Sequence, residues 1–147
     1  MAATGLATVI ADRIELGDDP IEPSWILSGD PKARSAMWTR SLDATTSSHV
    51  WDCTAGRFRW YFPVDETVHV IDGSVTVAVD GQEPVTLGVG DAALFHAGTW
   101  AVWEVPEYVR KHAVLRTHVP KPIAFALRAY TKLSGKLRRE ETGGGLG

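Results

Sequence analysis

Between Trp51 and Arg116 apolar residues recur at every second position, and that period is what most constrains the fold of this chain. Phe58, Trp60 and Phe62 form one such row, Val75, Val77 and Val79 a second, and Val85, Leu87 and Val89 a third. Side chains alternate across a strand, so apolar rows at period two mark strands with one buried face. Asp72-Gly73 and Asp80-Gly81 fall between strand-like runs. An Asp-Gly pair is a strong hairpin signal because both residues tolerate positive φ. Many short strands at this spacing predict an all-β sandwich or barrel.

The first fifty residues fit further strands at Ala7 to Ile10, Trp25 to Ser28, Ala36 to Ser41 and His49 to Cys53, with loops at Gly17 to Pro23 and Asp43 to Ser48. After Pro122 the period changes to three and four. Ile123, Leu127, Tyr130, Leu133 and Leu137 make one stripe, and Arg128, Lys132, Lys136, Arg138 and Arg139 fill the rest. That pattern predicts a basic amphipathic helix over about 123–140, weakened slightly at Gly135, whose stripe packs on the barrel or on a partner subunit. The closing Gly143 to Gly147 is expected to be a loose tail.

At 147 residues the chain fits one domain, 1–147, with a barrel core over about 23–119. A net charge of −3 gives no general attraction to nucleic acid, and no apolar run approaches the roughly 20 residues of a membrane span. Cys53 is the one cysteine, so no internal disulfide exists, and the first residues lack the pattern of a secretory leader. A cytoplasmic protein is the expectation. Six Trp in this length need walls to line.

Trp51, Cys53, Gly56, Glu66, Gly73, Gly90-Asp91, Gly98, Trp103-Glu104-Val105 and Arg110-Lys111 together resemble the cupin superfamily. More narrowly, the chain is similar to the small single-domain cupins related to the ureidoglycine aminohydrolase and ethanolamine-utilisation cupins, over roughly 23–119. The resemblance implies a double-stranded β-helix, a jelly-roll barrel, and a homodimer paired through N-terminal strands and a sheet face. Fold analogy alone assigns no activity.

The general cupin pattern also asks for two histidines shortly before the glutamate and a third after the second motif's glycine. Here those places fall on Trp60 and Phe62, or on Arg59 and Tyr61 in the other spacing, and on Ala101. Only Glu66 remains, and one carboxylate is not a metal site. No metal and no other cofactor are therefore expected, with atypical metal ligands as the residual alternative. His49, His69, His96, His112 and His118 read as surface or hydrogen-bonded residues.

Alternation then fills the barrel. Glu66, Val68 and Val70 share one face, Val109, Lys111, Ala113 and Leu115 another, and Ala101, Trp103 and Val105 a third, with Arg110, His112 and Arg116 opposite. If these rows point inward, Glu66 and Lys111 meet in an apolar barrel mouth lined by Trp51, Trp60, Tyr61 and Trp103. A buried charge seeks a partner, and titratable groups in an apolar pocket mark a site. Glu66 and Lys111 are the candidate catalytic residues and the four aromatics the candidate substrate-binding ones. The pair that only fixes the barrel is the structural alternative. Two functional classes follow: a metal-independent hydrolase, lyase or isomerase acting on a small polar metabolite such as an amino-acid or ureide derivative, or a non-catalytic module that binds or senses such a ligand. Trp51 and Cys53 also suit core packing, and no base for a Cys53 nucleophile is evident.

Overall fold

The computed structural model describes residues 5–143, with side chains through residue 139. The chain divides into two compact units, the first ending at Thr117 and the second beginning at His118. The first is an antiparallel jelly-roll sheet of eight strands among the described residues: β1 (Gly17–Asp18), β2 (Ile26–Gly29), β3 (Ala33–Arg40), β4 (Thr46–Phe62), β5 (Asp65–Val79), β6 (Val85–Gly88), β7 (Ala92–Phe95) and β8 (Thr99–Arg116). The order is β1-β3-β4-β8-β5-β6, with β2 also on β4 and β7 also on β5.

The long strand β8 lies between β4 and β5 and sets the register of both. Trp51 and Val70 face Lys111 from either side, and Phe58 and Val77 face Trp103 in the same way. One-residue irregularities bend the sheet round. Between Thr54 and Gly56 the pairing of β4 with β8 slips, so inward residues are odd-numbered through Cys53 and even-numbered from Phe58.

Asp72-Gly73 is not the hairpin that the sequence predicts. The chain runs straight through it inside β5, where the register with β8 shifts between Val70 and Asp72 and again between Gly73 and Thr76. Gly73 has φ +69°, and a Cβ there would overlap the Tyr108 carbonyl, so glycine is required by close approach rather than by a reversal. Asp80-Gly81 does turn the chain from β5 into β6, with Gln82 N–H donating to Val79 C=O at 3.1 Å.

Other boundaries move too. The segment at Ala7 to Ile10 is not a strand, and Trp25 closes a 3₁₀ turn (Pro23–Trp25) before β2 begins at Ile26. The predicted loop at Gly17 to Pro23 contains β1, β3 starts three residues early, and β4 starts at Thr46 inside the predicted loop. Of the row Val85, Leu87 and Val89, only Leu87 is buried.

The core consists of the inward rows: Trp51, Cys53, Phe58, Phe62, Val68, Val70, Val75, Val77, Phe95, Ala101, Trp103, Val105, Val109 and Ala113 are all buried. Phe62 and Phe95 stack with centroids 4.2 Å apart and planes 3° apart. On the opposite face Arg110 is also buried, because residues 11–14 cover it. Its guanidinium donates to the Ala11 and Ile14 carbonyls at 2.9 and 3.1 Å and lies 3.5 Å from Asp52. The same carboxylate accepts from Arg34 at 3.1 and 2.6 Å and from Tyr108 Oη at 2.8 Å, so buried Asp52 is fully satisfied.

The second unit contains helix α1 (Lys121–Gly143), longer at both ends than predicted and uninterrupted at Gly135. Pro122 sits in the first turn, where its missing N–H costs nothing. The side chains of Ile123, Leu127, Tyr130, Leu133 and Leu137 are exposed. Of the tail predicted at Gly143 to Gly147, Gly143 is the last residue of the helix, and 144–147 lie outside the described residues. No helix among the described residues is long and apolar enough to cross a membrane.

Candidate functional site

Strand parity brings the two inward charges together. Lys111 on β8 faces Trp51 on β4 and Val70 on β5, while Glu66 on β5 faces Leu115, the second inward position beyond Lys111. The lysine stem spans that diagonal, and Nζ donates to Glu66 Oε1 at 2.7 Å. Both side chains are buried, 7% exposed for Lys111 and 10% for Glu66. The ammonium also lies over two indole faces, 4.9 Å from the Trp51 ring and 4.7 Å from the Trp103 ring. Such contacts contribute about 0.5 to 1 kcal/mol each at exposed sites and about 2 or more when desolvated. Trp51 and Trp103 leave their Nε1 donors buried without an acceptor among the described residues. The rings therefore sit where their faces meet the cation and the core.

An inner pocket of about 210 Å³ opens on the pair, lined by Asp19, Ser35, His49, Trp51, Trp60, Glu66, Lys111 and Leu115. A wider cavity of about 650 Å³ shares Trp60, Glu66 and Leu115 with it and adds Pro20, Ile21, Pro23, Trp25 and Tyr61. Trp25 packs edge-on against Trp60 at 5.6 Å, which anchors the covering segment to the aromatic wall. Of the candidate residues, Glu66 and Trp60 line both spaces, Trp51 and Lys111 the inner one and Tyr61 the outer one. Trp103 lies behind Lys111 and lines neither space.

Three pocket residues had escaped the sequence reading. His49 stands two positions before Trp51 on the same strand face, so parity alone could have found it; its Nε2 shares a 2.8 Å hydrogen bond with Ser47 Oγ. Burial lowers its pKa below the ordinary value; Glu66 pulls in the opposite sense, and Lys111 adds to the lowering. Ser35 faces Trp51 across the β3–β4 ladder, which needs the register to be known. Asp19 comes from an irregular segment tied to the sheet by its N–H to Ala33 C=O at 3.0 Å, and no periodicity signals it.

The ligand set of a metal-dependent cupin does not fit here. Trp60, Phe62 and Ala101 occupy three of its places, and Glu66 is bonded to an ammonium that repels a cation. Among the described residues no group of three His, Cys, Asp or Glu could hold a metal ion. Cys53 is buried, its thiol pushed up to about 12 chiefly by burial and further by Asp52, which leaves it a packing residue and not a nucleophile.

Comparison with known proteins supports the architecture. A protein of unknown function of the DUF861 family from Pseudomonas syringae pv. tomato superimposes with a TM-score of 0.64 at 25% identity, over 70% of this chain and 45% of that one. The chain thus spans less than half the length of that protein. The EutQ protein of Clostridium difficile gives 0.58 at 18% identity over 75% of this chain and 86% of its own. A cupin superfamily protein from Desulfitobacterium hafniense gives 0.54 at 9% identity over 79% and 94%. The last two likenesses show the fold alone. The search of curated proteins gave no match. Residues 40–113, half of the chain, match the model of the EutQ-like cupin domain, and the chain belongs to the EutQ-like cupin family.

Proposed function

We propose that this cupin is a metal-independent enzyme that takes a small polar metabolite, an amino-acid or ureide derivative, into the barrel mouth and acts on it as a hydrolase, lyase or isomerase. Glu66 serves as general acid or base and Lys111 as the electrostatic stabiliser of developing negative charge. The observation that carries this reading is the Glu66–Lys111 contact of 2.7 Å at the wall of an aromatic pocket. A carboxylate is useful for proton transfer where its charge is set by a neighbour and water is scarce, and a lysine is useful where its charge is held in place. Trp51 and Trp60 wall the space, with Tyr61 at its outer part and Trp103 fixing the ammonium from behind.

A binding or sensing module is the second reading, favoured by the engagement of Lys111 with Glu66 and two ring faces at once. A pair so fully occupied suits holding a ligand as well as turning it over. The chain acts as a cytoplasmic homodimer in either reading, supported by the free buried Cys53 and by exposed Leu27 and Met37 on the N-terminal strands. The test is to incubate the protein with pooled amino-acid and ureide metabolites and follow each by mass spectrometry. Time-dependent loss of one compound with the wild type and none with Glu66→Gln is expected for the enzyme. Saturable binding without loss would replace it by the module.

A further inference from the structure

The inner pocket carries one charge more than the pair accounts for. Glu66 and Lys111 neutralise each other, but Asp19 lines the same space, and its carboxylate has no hydrogen bond or ion pair among the described residues. Burial is the largest influence on His49 in the same lining and lowers its pKa, while Glu66 and Asp19 both act on it electrostatically and raise it, so the ring favours its neutral form and adds no fixed positive charge. Two of the remaining walls are the indoles of Trp51 and Trp60, 6.2 Å apart and steeply inclined to each other, and Ser35 offers a hydroxyl. An unpaired carboxylate beside aromatic faces attracts an organic cation and disfavours an anion.

Resting on the metabolite reading above, we infer that the ligand of this pocket bears a protonated amine, held by Asp19 against the tryptophan wall, with its carbon chain directed toward the wider cavity lined by Ile21, Pro23, Trp25 and Tyr61. The charge balance makes the inference. With Lys111 already bonded to Glu66, an ammonium brings the lining to neutrality, whereas a carboxylate would add a second uncompensated negative charge in a half-enclosed space. The outer cavity is mostly apolar, with Glu22 and Glu66 as its charged lining residues, which suits a methylene tail, and Trp60 and Glu66, common to both spaces, mark the passage between them. Asp19 is held in place through its backbone rather than its side chain, which leaves the carboxylate available.

The experiment uses three probes of one shape: butylammonium, 1-butanol and butanoate, titrated into the full chain at constant ionic strength while tryptophan emission is followed. Trp51 and Trp60 in the pocket wall supply the signal. Saturable change with butylammonium alone is expected, weakened about tenfold or more in Asp19→Asn, the scale of one charge-assisted contact. Equal binding of butanol or butanoate, or equal affinity of wild type and Asp19→Asn for butylammonium, would overturn the inference. Should Asp19→Asn fail to fold, the probe series on the wild type decides by itself. Failure of butylammonium to bind overturns the amine assignment but not the metabolite reading, which is judged separately by turnover in Glu66→Gln.

Discussion

Parting Lys111 from Glu66 leaves either a carboxylate whose side chain is 10% exposed or an ammonium whose side chain is 7% exposed. Removing one member of such a pair costs about 3 to 5 kcal/mol. An isolated buried charge can also escape by neutralising, and that sets a ceiling that depends on pH. For an ordinary glutamate, taking up a proton costs about 2.3 kcal/mol at pH 6 and about 5.0 at pH 8. For an ordinary lysine, losing one costs about 6.0 kcal/mol at pH 6 and about 3.3 at pH 8. The loss in Lys111→Met should therefore grow from pH 6 to pH 8, and the loss in Glu66→Gln should shrink or stay level. The ring faces at 4.9 and 4.7 Å soften only the second, because only that variant keeps the cation. Urea unfolding of both single variants and the Glu66→Gln/Lys111→Met double variant at the two pH values measures this. The double variant should lie closer to wild type than either single, since it leaves no lone charge. Losses below about 1 kcal/mol in both singles, or losses with the same pH trend, would refute a buried pair, being the scale of an exposed one.

Gly73→Ala should lower stability by more than about 1 to 3 kcal/mol, since it adds a clash with the Tyr108 carbonyl to the strain of φ +69°; an unchanged melting temperature would argue against the bulge. Cys53, its thiol pushed up to about 12, should resist thiol reagents at pH 8 in the native protein and react fully in denaturant, and labelling of the native protein at a free-thiol rate would contradict its burial. Burial lowers the pKa of both His49 and His112, and the His112 ring accepts from Trp38 Nε1 at 3.1 Å. As pH falls below about 6.5 the unfolded chain takes up protons before the folded one, so stability should fall with pH through that window. His49→Gln combined with His112→Gln should flatten this slope, and an equal slope in that variant would place the titration elsewhere.

Period two made the jelly roll legible, because a one-sided barrel core writes itself as alternation. The same rule carried Glu66, Lys111, Trp103 and Val109 to the interior, each strand supplying its own parity. The bulges were not legible: Asp72-Gly73 has the composition of a turn, and only the closeness of Tyr108 on another strand distinguishes a bulge from a reversal. Arg110 was assigned to the outer face and lies there, yet its burial depends on residues 11–14, a turn closed by Arg13 and Ile14 N–H on Ile10 C=O whose carbonyls accept from Arg110, and no period of two or of three and four marks that contact. Asp19 and Ser35 reach the pocket for similar reasons, through a covering segment and a ladder register that no local period encodes.

Metal content tests the central claim most directly, since the account puts an ion pair and aromatic side chains where a metal-dependent cupin keeps its ligands. Protein purified without chelator and then equilibrated with iron, manganese, nickel or zinc should carry no stoichiometric metal after desalting, and Glu66→Ala should not change that result. About one metal per chain that is lost in Glu66→Ala would contradict it, because Glu66 would then be a ligand and not the partner of Lys111.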